Sequence, residues 1–490
     1  MNPPFARWVS RRHARLLLLT LAAALGAVAV QAQDIKLTVS SAAGDRLTDR
    51  PDLHFTAAPS GKAAGIRIEE AKRFQRMDGF GASFLEAGMI CLNSLPPAEQ
   101  EKVLKSLFDP VAGAGFTAMK TPLAGTDFMS AGPWFTYDDT PGDVEMKHFS
   151  IARDLGPNGL ITYIKRARKY GQFKLQAPMD YPPDWMLMDV NKNQDVNPKY
   201  YDALALYYLK YLQAYEQAGV FIDYLSLFNE PGVYTKIRWD EILTLFRDHV
   251  GPLLEREGCK TRLMPSEAVE RREAGKSYPL IMDDPVARRY VAVLPYHGYD
   301  VKNFDKIARL HARYPDTPLW MTEYCYAYEA DYPTNIVLPR YDFADGDNWG
   351  NIICSDLEAG ASAWLYWNAI LDEKGGPWAV SPIHGNPDPN IQHAPVIINR
   401  QTGQVSYTGV YYYLAHFSKF VRPGAMRIGT AGVPRGVRCL AFVTPEKGLV
   451  VELLNHRKQD AAVNLRWRDQ TVRVALPAIS ITTLRWAGAD

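Results

Sequence analysis

Apolar and polar positions follow two different rhythms along this chain. Across the middle of it, stretches with apolar residues three and four apart take turns with short, wholly apolar runs. The clearest helical stretch is 197–219, where Leu204, Tyr208, Leu212 and Tyr215 share one face and Gly219 suits a C-terminal cap. Pro96 and Pro97 fit the first turn of a helix over 96–108, and the same spacing predicts helices over 157–170, 239–257, 301–313 and 349–360. The apolar runs between them read as buried strands ending near Gly79, Lys120, Ala177, Asn229, Pro265, Tyr296, Thr322 and Trp367. Eight strands alternating with helices predict a parallel sheet with crossover helices, closed as a (β/α)8 barrel over 76–404.

The ends have the second rhythm. Short strands with turns between them are predicted at Val437–Thr444, Leu449–Leu454, Val463–Arg468, Val472–Leu476 and Ile481–Trp486. Residues 405–490 therefore read as a small all-β sandwich. The strand-rich segment 33–75 is too short to be a domain and is expected to pair with that sheet. No repeat or Pro/Ser-rich linker separates the two parts, which predicts tight packing between them.

The first 32 residues read differently. Arg7, Arg11, Arg12 and Arg15 precede the apolar run Leu16–Val30, and Val30-Gln31-Ala32 places small residues at a cleavage point. That order predicts a signal peptide and a periplasmic or secreted protein. The apolar run is shorter than the roughly 20 residues needed to span a bilayer, and no later stretch is long and apolar enough. Removing 1–32 takes away four arginines and no acid, moving the formal charge from +1 to −3. A near-neutral charge argues against a nucleic-acid binder. The five scattered cysteines form no disulfide framework, although one bond is open to them, and neither a CxxC pair nor an HExxH motif marks a metal site. No cofactor is expected. Aromatic residues make up 12% of the chain, which suits a large core and a sugar-binding cleft equally.

In a barrel, catalytic groups sit at the C-terminal ends of strands. Two of those ends carry acids. The run from Tyr224 closes in Asn229-Glu230-Pro231, and the run from Leu319 closes in Glu323. Each Glu alone marks no more than a strand reaching solvent. Together they form the pair that glycoside hydrolysis requires, two carboxyl groups flanking one bond.

With those ends in place, longer segments acquire meaning. Phe74–Ala82 with its Gly-Phe-Gly turn, Phe135–Asp143 followed by Lys147–Ile151, Trp367-Asn368 with Gly375-Gly376-Pro377, and His416–Phe420 with Arg422-Pro423-Gly424 resemble glycoside hydrolase family 30 of clan A, nearest its glucosylceramidase-like branch. The resemblance implies a (β/α)8 barrel with an attached β-sandwich and hydrolysis of β-glycosides with retention. It assigns Glu230 as acid/base and Glu323 as nucleophile. Asn229 matches a neighbour of the sugar 2-hydroxyl. His297 and Tyr299 match an H-x-Y at the sixth strand, with Tyr299 orienting the nucleophile, and Asp127 and Trp367 match sugar-binding positions. His297 also reads as a satisfied buried histidine, and Trp367 as core.

Two positions depart from the family pattern. Lys120 stands where many members carry Arg, and Lys lacks the rigid guanidinium fork. Met179 stands where the family has an aromatic residue, and Asp180 beside it adds an acid. These departures put glucose specificity in doubt and leave retaining hydrolysis intact. The long segments 324–348 and 369–400, with Tyr324, Tyr326, Tyr328, Tyr332, Trp378 and His384, read as rims of a substrate cleft or as self-packed loops. The expected partner is a carbohydrate or glycoconjugate substrate. Rival readings are an endo-acting glycanase on β-1,6-glucan, galactan or xylan, and a catalytically silent carbohydrate-binding protein.

Overall fold

The computed structural model describes residues 34–58, 65–189, 195–233, 235–328, 337–378 and 390–488. The signal peptide expected over 1–32, the side chain of Tyr328, and Tyr332 and His384 lie outside the described residues.

Eight parallel strands form the central sheet: Gly79–Ser83, Ala118–Lys120, Lys174–Pro178, Tyr224–Ser226, Arg262–Met264, Leu294–His297, Leu319–Glu323 and Ala361–Asn368. Except for the fifth and sixth, each pairs with the next, and the eighth pairs with the first. Single parallel bridges, Leu263 to Val291 and Ala268 to Tyr296, join the fifth strand to the sixth and close the barrel. Neighbouring ends are level, with Ser83 opposite Lys120 and Pro178 opposite Ser226. That register brings the strand-end side chains to one height at the mouth. Tyr224, Met264, Val293, Trp320 and Leu365 pack together inside the barrel as a plug. The outer core lies between strands and helices.

The helix at 197–219 appears as Tyr201–Gln217, preceded by a 3-10 turn at Pro198–Tyr200. The others are Pro97–Phe108, Leu160–Ala167, Phe304–Arg313, Asp345–Ala359 and a three-part run from Trp239 to Arg256 whose middle is a π-helix. The first strand begins at Gly79, where the pattern ended it. Its run Gly-Phe-Gly-Ala-Ser lacks branched residues. A Cβ on Gly81 would drive into the carbonyl of Ala118, so close approach of the second strand requires glycine there.

The second unit is a curled ten-stranded sheet around its own core, with Ile35, Val39, Ile66, Val451, Leu465, Val474 and Trp486 inside. Asp34–Ser41 pairs with Ser480–Trp486, and Ile66–Arg76 pairs with Met426–Ala431, so the N-terminal strands do complete this sheet. Residues 405–420 stay outside it. Val405–Tyr407 pairs with Val396–Ile398, and Gly409–Phe420 is a helix whose Phe417 ring lies 5.8 Å from Phe80 of the first barrel strand. The sandwich strands resume only at Met426, because the apolar face of that helix is taken by the barrel. His416 on the same helix hydrogen-bonds Thr483 and Ser40 of the sandwich at 2.6 and 3.0 Å, which fastens the units together. All five cysteines are free thiols. Among the described residues no helix is long and apolar enough to cross a membrane.

Candidate active site

The turn after the fourth strand is held by backbone. Asn229 N donates to Met179 O at 2.8 Å, and Glu230 N donates to Glu267 O at 3.0 Å. Glu230 takes a left-handed φ of +47°. A non-glycine residue there stores strain, which such turns hold when it aims a functional side chain. Glu323 ends the seventh strand. An oxygen of Glu230, an oxygen of Glu323 and a ring nitrogen of His297 all lie within 4.8 Å of one another.

A third carboxylate organises these two. Glu267, three residues past the fifth strand, is fully buried. Its Oε2 accepts from Lys120 Nζ at 2.8 Å, from His297 Nε2 at 2.9 Å and from Thr322 Oγ1 at 3.0 Å. Lys120 also reaches Glu323 Oε2 at 2.6 Å and Asn229 Oδ1 at 2.9 Å. His297 Nδ1 meets Glu230 Oε1 at 2.7 Å and passes Glu323 Oε1 at 3.7 Å. Three carboxylates thus share two buried cations.

The electrostatics follow from that arrangement. Burial alone opposes the charge on Glu267, but Lys120 and His297 outweigh it and bring its carboxyl down to about 2. Burial likewise opposes the charges of Lys120 and His297. The carboxylates around them prevail, raising the Lys120 ammonium above its ordinary value and His297 to about 9. Glu230 goes the other way. Burial raises it above its ordinary value, helped by the Glu323 charge and restrained by the His297 contact. At neutral pH the imidazolium donates through both nitrogens, to Glu230 and to Glu267.

Tyr299 OH donates to Glu323 Oε1 at 2.9 Å. The loop that carries it is anchored by Arg271, a fully buried residue. Arg271 grips Asp356 through two bonds of 2.8 and 2.7 Å, and reaches Gly298 O at 2.9 Å and Asp300 at 3.0 Å, on either side of Tyr299. With Oε2 on Lys120 and Oε1 on Tyr299, the Glu323 carboxylate is fixed from both sides.

The remaining predicted residues surround this centre at different depths. Trp367, on the eighth strand, is buried with its ring 4.9 Å from Lys120 Nζ. Asp127 is half-buried and lies 3.5 Å from Asn390 Nδ2. Asp180 is fully buried, neither of its carboxylate oxygens has a hydrogen-bond partner, and burial and the Asp127 charge push its carboxyl well above the usual range. Met179 is enclosed in the barrel's apolar core, and its carbonyl holds Asn229. Of the loop aromatics, Tyr324 and Tyr326 pack on Trp349 at 4.9 and 4.7 Å, so these two fold the loop onto its helix.

Glu267 and Arg271 are not among the residues that the sequence singles out. Glu267 follows the fifth strand as Met264-Pro265-Ser266-Glu267, and the strand-end rule that found Glu230 and Glu323 applies to it equally. Arg271 opens a helix, Arg271–Met282, whose charged first turn and internal Pro279 hide its periodicity.

The chain is 24% identical over 444 residues to the lysosomal acid glucosylceramidase of Mus musculus, covering 86% of this chain and 83% of that one. It is 27% identical over 408 residues to the endo-1,6-beta-D-glucanase of Neurospora crassa, covering 79% of each. Among solved structures, SrfJ from Salmonella typhimurium superposes with a TM-score of 0.82 at 22% identity, over 93% of this chain and all of the other. An endo-beta1,6-glucanase superposes with a TM-score of 0.79 at 23% identity, again over 93% of this chain and all of the other. The glycosyl hydrolase family 30 TIM-barrel domain matches residues 77–421, and the family 30 beta sandwich domain matches 424–484. The barrel, the sandwich and these matches agree: the chain belongs to glycoside hydrolase family 30 and is a glycoside hydrolase.

Proposed function

We propose that this chain is an exported retaining β-glycosidase of the glucosylceramidase-like kind, working by double displacement. The observation that carries the reading is the carboxylate pair, with oxygens of Glu230 and Glu323 within 4.8 Å of each other. Retaining enzymes hold their carboxyl groups about 5–5.5 Å apart, whereas inverting ones leave room for a water between them. Glu323 has Lys120 and Tyr299 on it and is set as the anion that attacks the anomeric carbon. Glu230, raised by burial and by the nearby charge of Glu323, keeps its proton for the leaving oxygen. Its Oε1 accepts from His297, so the other oxygen carries the transferable proton. When that proton leaves, the His297 imidazolium steadies the new carboxylate, which then deprotonates the water that releases the sugar. Asn229, fixed by Lys120, is placed for the sugar 2-hydroxyl, and Asp127 and Trp367 for the rest of the ring. Export rests on the basic-then-apolar order of residues 1–32.

A second reading, an endo-acting β-1,6-glucanase, is favoured by the likeness to the Neurospora crassa enzyme. A panel of aryl β-glycosides, a β-glucosyl lipid and β-1,6-glucan, with analysis of product size, tests both. The first reading expects release of single sugars from glycosides, and the second expects oligosaccharides from the glucan. Inertness toward every β-linked substrate contradicts both.

A further inference from the structure

A cleft of about 660 Å³ opens where the barrel meets the sandwich. It is walled by Arg46, Asp49, Tyr407, Tyr412, Lys419 and Arg485, none of which belongs to the catalytic centre. Its volume lies within the range of small-molecule sites. Among the described residues, none of its three cations forms an ion pair with a carboxylate.

Each cation is held in place by neutral groups. Lys419, half-buried on the helix Gly409–Phe420, donates to the carbonyls of Val111 and, at 3.1 Å, Gly113. Arg485, half-buried on the last strand, lies 4.3 Å from the centre of the Phe420 ring and reaches Thr38 Oγ1 at 3.4 Å. Its Nε is buried with no hydrogen-bond partner. Arg46 stacks over Phe343 at 4.3 Å and Tyr412 at 5.2 Å and donates to the carbonyls of Ser41 and Asp45 at 2.7 Å each. The single wall carboxylate, Asp49, accepts from Thr38 Oγ1 at 2.7 Å. Burial and the Arg485 charge hold the Lys419 ammonium below its ordinary value, against the opposite pull of Asp49 and Asp109.

Asp49 is one carboxylate among three cations and forms an ion pair with none of them, and keeping Lys419 and Arg485 half-buried beside Arg46 is unfavourable unless an anion completes the cluster. The shape and the rings say what carries that anion. Tyr407 and Tyr412 are half-buried, so part of each ring faces the opening, as a wall against which the C–H face of a sugar can lie. We propose that this cleft is a second carbohydrate site, remote from Glu230 and Glu323, that binds a sugar bearing an anionic group, with Arg46, Lys419 and Arg485 taking the oxyanion and the tyrosines taking the ring. The site would let the enzyme hold an acidic saccharide while the barrel mouth works on a glycosidic bond.

The test uses the full chain carrying Glu323→Gln, so that the active centre turns nothing over, and isothermal titration with glucose 6-phosphate, glucose 6-sulfate, glucuronate, glucose and inorganic phosphate. Glucose 6-phosphate is expected to bind at least about tenfold more tightly than glucose, the usual worth of a charge-assisted contact. It should also bind more tightly than inorganic phosphate, and more weakly as salt rises. The sulfate and glucuronate arms tell which oxyanion fits best. Arg46→Gln and Arg485→Gln should each weaken binding about tenfold. In the Glu323 background restored to wild type, both should leave aryl glycoside turnover unchanged. Arg46 is exposed, so its variant remains informative if Arg485→Gln fails to fold. Equal binding of glucose and its phosphate overturns the proposal. So does inorganic phosphate binding as well as the sugar phosphate, which would mark a bare ion site, or undiminished binding by a folded Arg46→Gln protein.

Discussion

Replacing Glu267 with Gln probes the centre without touching the two residues placed in the chemistry. The amide keeps the shape but removes the charge that Lys120 and His297 share at 2.8 and 2.9 Å. A carboxyl held at about 2 instead of its ordinary 4.5 corresponds to about 3 kcal/mol of stabilisation at neutral pH. That agrees with the roughly 3–5 kcal/mol lost when one partner of a buried ion pair is removed. Because the folded value is depressed, this stability is present above the unfolded value near 4.5 and disappears as pH falls toward 2. The chemistry should respond as well. Without Glu267 the His297 imidazolium loses a counter-charge and reverts toward its ordinary value. Glu230 then has less help as an anion, and its carboxyl rises further. Denaturant unfolding of wild type and variant, followed by tryptophan fluorescence at pH 7, measures the first effect, and the pH profile of kcat/KM measures the second. The variant should be less stable by about 3 kcal/mol. The alkaline limb of its profile, which reports loss of the Glu230 proton, should move to higher pH. Stability within about 0.5 kcal/mol of wild type, the range of a neutral surface change, together with an unmoved alkaline limb, would refute the shared-cation account.

Further outcomes follow from the same geometry. In Glu230→Ala, a dinitrophenyl glycoside should still glycosylate the enzyme and added azide should release a β-glycosyl azide; an α-azide contradicts retention. His297→Gln should destabilise the protein most below about pH 6.5, where the imidazolium contributes fully, and the difference should shrink as pH rises through about 9, as comparative unfolding at several pH values will read. Asp180→Asn should change the ranking of aryl glycosides by kcat/KM while leaving unfolding almost unaltered, because its carboxyl has no protein partner to lose; an unchanged ranking removes Asp180 from sugar recognition.

Much of this fold is written in periodicity. The long helix Tyr201–Gln217 and the strands Ala461–Trp467 and Gln470–Leu476 are amphipathic or alternating over enough residues to be read directly. The first barrel strand is not, because a Gly-Phe-Gly-Ala-Ser run is chosen for close backbone approach rather than for side-chain packing. The helix Gly409–Phe420 is buried on nearly every side between barrel and sandwich, so its sequence carries no polar face to mark it. At the site, Glu230 and Glu323 stand out because strands that are otherwise apolar end in them. Tyr299 donates to Glu323, the residue that the resemblance matches to the nucleophile. From the sequence Lys120 is expected as a sugar contact in place of Arg, and in the structure it is bound to Glu267, Glu323 and Asn229 at once. Such a convergence comes from four separate strand ends, and no local pattern encodes it.

If Glu323 attacks the sugar and Glu230 serves it as acid and base, the covalent intermediate is carried on Glu323. A 2-deoxy-2-fluoro-β-glycoside with a dinitrophenolate leaving group slows release of the intermediate, so the covalent species accumulates and its mass can be read. For the sugar the enzyme prefers, intact mass followed by peptide sequencing should show one added glycosyl unit, on Glu323. Attachment to Glu230 or Glu267, or turnover of that sugar's ordinary glycoside with inverted product and no adduct, would contradict the account.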